Sequence, residues 1–314
     1  MAAESNILPF TPFEILIRGF RYIKGLPNIE EKDWSQCNIE KFMNQYGQHP
    51  IEIAVMWNDI LTLDIDLGLC NKDKSEEGFQ KLMRAVHFLW AYPKNAGILA
   101  ATFGTCKRLA EGEYLWKWVR VIANLKAIKF VWPEEEYNDP SGKIFIVTVD
   151  GVDFKVWEKK HNTYPIDRGQ YSHKVNHGAL KYEIAIDTVK SQVVWINGPH
   201  RGGEHDKTIY SMALRDMVPA GKKIIADRVY GSKKASNPND REKIALPNTC
   251  DSPELNNFKA RLRARHETFN GRIRMFRVLS DTFHHANGKH GFVFDAVCVM
   301  VQYQMDYGRP LFRA

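Results

Sequence analysis

Cysteine is scarce and scattered in this chain: Cys37, Cys70, Cys106, Cys250 and Cys298 include no CxxC pair and no partner spacing. That argues for a reducing compartment and against a cysteine-based zinc site. No apolar run approaches the ~20 residues a membrane helix needs, and the start has no basic n-region followed by an apolar h-region. Internal repeats and low-complexity tracts are also missing. Arg201-Gly-Gly-Glu204 has neither Walker nor dinucleotide spacing, so no phosphate loop is read there. The expectation is a soluble, intracellular protein without a membrane partner. What is present is ordinary globular composition, 44% hydrophobic and 26% charged over 314 residues, enough chain for two domains. A formal charge of +7 favours an anionic partner such as nucleic acid.

The first half reads as helical. Thr11-Pro12-Phe13-Glu14 is a capping box with proline at the first helical position, opening a helix to about Lys24. Phe13, Leu16, Ile17, Phe20 and Ile23 recur at helical spacing. Residues 26–48 are polar and mixed, and periodicity places nothing there. Further helices are expected over about 51–63 and 75–92. Residues 96–125 read as a short helix, a glycine-containing turn and a longer helix, a helix-turn-helix pattern. Lys107, Arg108, Lys117 and Arg120 are its candidates for phosphate contact, against the plainer reading of a helical hairpin with a solvated basic face.

Character changes in the turn-rich stretch around 132–142, which sets the boundary between a helical domain, 1–135, and a mixed α/β domain, 136–314. Lys143-Ile-Phe-Ile-Val-Thr-Val149 is a buried strand, read as ending at Asp150 with a short continuation over 154–157. Residues 180–187 and 192–197 alternate in period two and suggest a hairpin. A helix at 206–217, a strand at 223–226, a loop-rich stretch over 230–257 with a short strand at 243–246, and two final helices complete the reading.

Three acids stand out. Asp150 and Asp227 sit at strand ends, and Glu267 lies in the basic helix Lys259-Ala-Arg-Leu-Arg-Ala-Arg-His-Glu-Thr-Phe-Asn-Gly-Arg-Ile-Arg-Met-Phe276. Two strand carboxylates and one helix carboxylate suit divalent metal ions, which take oxygen ligands and activate phosphodiester chemistry. Glu267 flanks the apolar stripe Leu262, His266, Phe269, Ile273 and Phe276, on a line with Arg263, Asn270 and Arg274. Arg263, Arg265, Arg272 and Arg274 have the guanidinium forks that match phosphate oxygens. Lys174 sits in a loop before a strand, where it either approaches substrate or is simply solvated. Taken singly, each acid is more simply a turn, cap or surface residue; the joint pattern carries the reading. The dispersed histidines, His161 among them, show no zinc-ligand spacing.

Val147-Thr-Val-Asp-Gly151, Ala226-Asp-Arg-Val-Tyr-Gly231 and Arg265-His-Glu-Thr-Phe-Asn-Gly271 resemble the three acidic blocks of DDE transposases, most closely the PIF/Harbinger group. Tyr171-Ser-His-Lys174, Leu180-Lys-Tyr-Glu183, Trp195-Ile-Asn-Gly-Pro199 and Gly203-Glu-His-Asp206 resemble intervening blocks in order. The resemblance runs from about Ile98 to Phe312. It implies a ribonuclease H-like mixed-sheet catalytic domain behind an all-α helix-turn-helix-type domain. It implies Asp150, Asp227 and Glu267 as catalytic metal ligands for two Mg²⁺ or Mn²⁺ ions, with Asp206 secondary. The implied activity is DNA cleavage with strand transfer, on transposon ends and target DNA. It further implies a homo-oligomer on DNA, a separate Myb-like helper protein, and a nuclear location (cytoplasmic in a prokaryote). The alternative is a domesticated, catalytically inactive DNA-binding protein. One departure is Val229, where the family usually has glycine, and it bears on the turn after Asp227.

Overall fold

Thr11 opens the first helix as its spacing predicts. Its hydroxyl oxygen accepts from the Glu14 N–H, the Glu14 carboxylate accepts from the Thr11 N–H, and Pro12 fills the first helical position. The computed structural model describes residues 10–62, 67–157, 168–231, 242–248 and 250–314. They divide into two units: residues to 126 with 275–278 and 292–309, and residues 127–274 with 279–291 and 310–314.

The first unit is helical: α1 (Pro12–Tyr22), α2 (Gln36–Tyr46), α3 (Pro50–Thr62), α4 (Glu76–Ala91), α5 (Ala96–Thr102), α6 (Lys107–Glu111) and α7 (Glu113–Asn124). Most of the helix His290–Asp306 completes it. Trp57, Phe79 and Trp118 are fully buried, with the Trp57 ring 5.2 Å from Phe79 and 6.0 Å from Trp118. α2 occupies the stretch in which periodicity placed nothing; Ser35 caps its start and Gly47, left-handed at φ 68°, ends it. Gly19 of α1 faces α2, where a Cβ would stand 2.2 Å from the Phe42 ring. Within 96–125 the expected turn holds a helix of its own, α6.

The second unit follows α8 (Lys126–Lys129) and α9 (Glu134–Asn138) with β1 (Phe145–Lys155), β2 (Tyr171–Ser172), β3 (His177–Asp187), β4 (Val193–Arg201), α10 (Asp206–Met212), α11 (Leu214–Met217), β5 (Lys223–Ile225), β6 (Ile244–Ala245) and α12 (Pro253–Arg274). The sheet runs β4–β3–β1–β5–β6, with β2 on the start of β3. β1, β3 and β4 pair antiparallel, whereas β5 and β6 run parallel to β1. Asp150 does not end its strand. β1 continues through it because Gly151 stays in register with Glu183, and Asp153 with Lys181. The helix expected over 206–217 is two helices, broken at Ala213. Part of the loop-rich 230–257 stretch, and His161, lie outside the described residues. Among the described residues no helix is long and apolar enough to cross a membrane.

Strand alternation assigns each side chain a face. Val147, Val149, Gly151 and Asp153 share one face with their partners Asp187, Ala185, Glu183 and Lys181. There Val147, Val149 and Ala185 pack with Tyr210, Leu214 and Tyr230. Thr148, Asp150 and Val152 point to the other face, which α12 covers through Leu262 against Ile225 and Ala245.

Arg265 of α12, 1% exposed, locks the β3–β4 turn to that helix. Its guanidinium donates to the carbonyl oxygens of Asp187, Thr188 and Lys190, the last at 2.8 Å. The Asp187 carboxylate in turn accepts from Tyr137 Oη at 2.7 Å and Lys143 Nζ at 2.6 Å. Replacing Arg265 by Met keeps the bulk and strands the buried carbonyls of Asp187 and Thr188, so Arg265→Met is expected to lower stability by about 2–4 kcal/mol. Urea unfolding measures this; a change inside the ±0.5 kcal/mol typical of surface substitutions would deny the lock.

Candidate functional site

Asp150 points toward α12 with both carboxylate oxygens held. Oδ1 accepts from the Gly151 N–H at 2.9 Å, and Oδ2 accepts from Asn270 Nδ2 at 2.9 Å. Burial pushes this carboxyl above the usual carboxylate range; the Lys174 ammonium pulls it down, while the Asp227 and Asp206 charges push it up. Lys174 is exposed, and its Nζ donates to the Gly151 carbonyl at 2.9 Å.

Asp227 comes two residues after Ile225, so strand alternation carries it toward the α12 face as well. Its Oδ1 accepts from the Val229 N–H at 2.8 Å. Val229 is 49% exposed, and among the described residues Tyr92 and Asn176 are the non-glycine positions with positive φ. Valine therefore brings no left-handed strain to the turn after Asp227.

Glu267 is exposed on α12, one turn before Asn270, and residues three apart on a helix are neighbours. His266 beside it turns inward, Nδ1 3.0 Å from Thr148 Oγ1; burial holds its imidazole down to about 4. The fold thus puts Asp150 and Asp227 within reach of each other's charge, under the helix that bears Glu267. It does not close them into a cage: among the described residues no three His, Cys, Asp or Glu side chains converge closely enough to hold a metal ion.

Asp206 belongs to the opposite face of the sheet. A Cβ at position 151 would lie 2.6 Å from Asp206 Oδ1, so glycine is what lets this carboxylate abut β1. Lys181 Nζ donates to Asp206 Oδ1 at 2.8 Å and to the Glu204 carbonyl at 2.7 Å. Asp153 accepts from the Ser172 hydroxyl on the same face. Glu183 is 1% exposed, and among the described residues neither of its oxygens meets a donor in good hydrogen-bond geometry; the nearby Trp195 indole N–H opposes the rise in its pKa without closing a well-formed bond. Burial pushes Glu183 up to about 8, with Asp206 adding to the rise. Tyr230 feels Glu183, Asp206, Asp150 and Asp227 together; burial first, then those charges, raise its hydroxyl well above normal. The candidate residues drawn from the sequence did not include Glu183, Lys181 or Asp153. Their signal was the alternation of β3 and β1, which puts all three beside Gly151.

The basic candidates separate clearly. Lys107, Arg108 and Arg274 are exposed, and Arg263 and Arg272 are half-buried. Lys117 is bound to Asp73 at 2.6 Å, and Arg120 lies over the Phe292 ring at 4.9 Å. Arg265 requires correction, since its guanidinium is buried on backbone carbonyls and cannot reach a phosphate. A cavity of about 540 Å³ opens along β5 and β6, lined by Tyr230, Ile244, Leu246 and Lys259 among others. The three acids are not in its wall.

The family model of the DDE superfamily endonucleases matches residues 149–302, a span holding Asp150, Asp206, Asp227 and Glu267. That match supports a transposase or endonuclease activity. No curated protein and no solved structure matches the chain.

The Glu183 carboxyl makes a pH signature. An acid at about 8 when folded, against about 4.3 in an unfolded chain, binds its proton more tightly in the folded state. Stability from this group is therefore present at low pH and falls as pH rises through that window. Thermal unfolding from about pH 5 to pH 8 should fall more steeply for the wild type than for Glu183→Gln. Equal slopes would count against the buried acid.

Proposed function

We propose that the sheet-bearing unit is a metal-dependent DNA endonuclease of the DDE transposase kind, PIF/Harbinger-like, with a ribonuclease H-like fold. One observation carries the reading: Asp150 and Asp227 share electrostatic influence on the sheet face that α12 covers, and that helix brings Glu267 next to the residue bonded to Asp150. Three antiparallel strands followed by two parallel to the first support the fold assignment.

The donors fit a hard divalent cation by chemistry, since all are carboxylate oxygens of the kind Mg²⁺ and Mn²⁺ take. A buried carboxylate beside like charges is also relieved by a cation. Asp150, Asp227 and Glu267 would hold it, and two bound ions would supply activation of water and stabilisation of the leaving oxygen. The protein's own contributions are to fix Asp150 through Gly151 and Asn270, and to present Lys174 at the strand as a cationic phosphate contact. Arg263, Arg272 and Arg274 of the same helix are the phosphate forks. Lys107 and Arg108 in the 96–125 helices are the proposed DNA contacts of the helix-turn-helix-type unit. Lys117 and Arg120 serve that unit through Asp73 and Phe292. By resemblance, the substrates are transposon ends and target DNA, met as a homo-oligomer with a Myb-like helper, in the nucleus.

A second reading, a DNA-binding protein without catalysis, is favoured by the lack of a closed three-carboxylate cluster among the described residues. One assay decides between them: nicking of supercoiled DNA carrying the sequences that flank the coding region, with and without Mg²⁺. Asp150→Asn, Asp227→Asn and Glu267→Gln should each reduce metal-dependent cleavage about a hundredfold or more, leaving DNA binding largely intact. Full nicking by any of the three removes the mechanism, and DNA binding without cleavage by the wild type selects the second reading.

A further inference from the structure

Asn270 is 1% exposed, and its side chain makes a single hydrogen bond among the described residues, from Nδ2 to Asp150 Oδ2 at 2.9 Å. Its Oδ1 is buried without a partner. A buried amide costs free energy unless its polar atoms are satisfied, and here half of the group is not. An apolar side chain of the same size would suit the position better if packing were its whole purpose.

Nor is Asn270 needed to attach the helix. His266, one turn earlier, already joins α12 to Thr148, and Leu262, Phe269 and Ile273 are fully buried along the same helix. The one thing the amide does that its neighbours do not is hold the Asp150 carboxylate. Together with the Gly151 N–H on Oδ1, it leaves that group one orientation. Each oxygen gives up one lone pair to a donor and keeps another.

We propose that Asn270 is a positioning residue that orients Asp150 as a cation ligand. The inference rests on the reading of Asp150 given above. A donor that orients a ligating carboxylate lowers the entropy lost on binding, and loss of such a donor costs about 10–100-fold in metal affinity. The full chain, Asn270→Leu, Asn270→Ala and Asp150→Asn are titrated with Mn²⁺ by calorimetry, and thermal unfolding without metal is measured alongside. Asn270→Leu keeps the bulk and suits a helix, so it decides the matter should Asn270→Ala fail to fold.

The expected result is Mn²⁺ binding by the wild type, its loss in Asp150→Asn, and binding about 10–100-fold weaker in Asn270→Leu with little change in unfolding temperature. Wild-type affinity in Asn270→Leu would overturn the inference and leave the proposed function standing, as would a lowered unfolding temperature with unchanged affinity. Absence of Mn²⁺ binding by the wild type would remove both.

Discussion

Two hydrogen bonds between one strand and one helix set the geometry of the candidate site: Thr148 with His266, and Asp150 with Asn270. The spacings are commensurate. Two residues of strand advance about 6.6 Å, and four residues of helix advance about 6 Å. Both pairs step forward in sequence together, so α12 runs along β1 in the same direction. This alignment brings Glu267, which lies between the two contact residues, alongside the strand that bears Asp150. A slip of one residue in β1 would turn Asp150 to the opposite face and place Gly151 under the helix. The register against β3 is therefore what makes the acid available at all.

The same strand carries acids to both sides of the sheet. Asp150 and Asp153 are an odd number of residues apart and so point in opposite directions. Each side has an ammonium group close to the backbone, Lys174 at the Gly151 carbonyl and Lys181 at Asp206. Glycine at 151 keeps the separation between the two groups to a single backbone, and this explains how Asp206, on the same face as Glu183, raises that acid and also raises Asp150 from the reverse face. Charges packed this closely favour uptake of protons or cations. Burial favours the protonated form of Glu183, and the same direction of shift at Asp150 is what the cation proposed there would relieve.

Much of this was legible in the residues, for identifiable reasons. The capping box at Thr11 and the apolar strand before Asp150 are local signals, and the structure has both. α2 was missed although its signals were present: Ser35, then Ile39, Phe42 and Tyr46, then Gly47. Its polar residues diluted the period, and the close contact that fixes it, Gly19 on Phe42, joins positions far apart in sequence. The end assigned to β1 at Asp150 failed because a charged residue followed by glycine imitates a strand terminus. Pairing with β3 overrides that local cue. Asn270 was on the right helix line but was not separated from the arginines, since a hydrogen bond 120 residues away in sequence leaves no local trace.

The net charge needs the same discipline. A surplus of basic residues favours nucleic acid, yet several of the basic groups are committed internally. Arg265 satisfies carbonyls, Lys181 neutralises Asp206, Lys143 binds Asp187, Lys259 binds Asp251 and Lys117 binds Asp73. Those cations stabilise buried acids or carbonyls, and releasing them to a phosphate would expose unpaired groups at a cost of several kcal/mol. Of the proposed phosphate contacts, Lys107 and Arg108 in the helical unit and Lys174 and Arg274 in the sheet-bearing unit are exposed, Arg263 is half-buried, and Arg272 donates to the Pro310 carbonyl. In the sheet-bearing unit this set lies on α12 and on the loop beside β1, the same elements that carry Glu267 and Asp150. The proposed phosphodiester substrate rests on this coincidence of exposed cations with the acid-bearing elements, rather than on the overall charge.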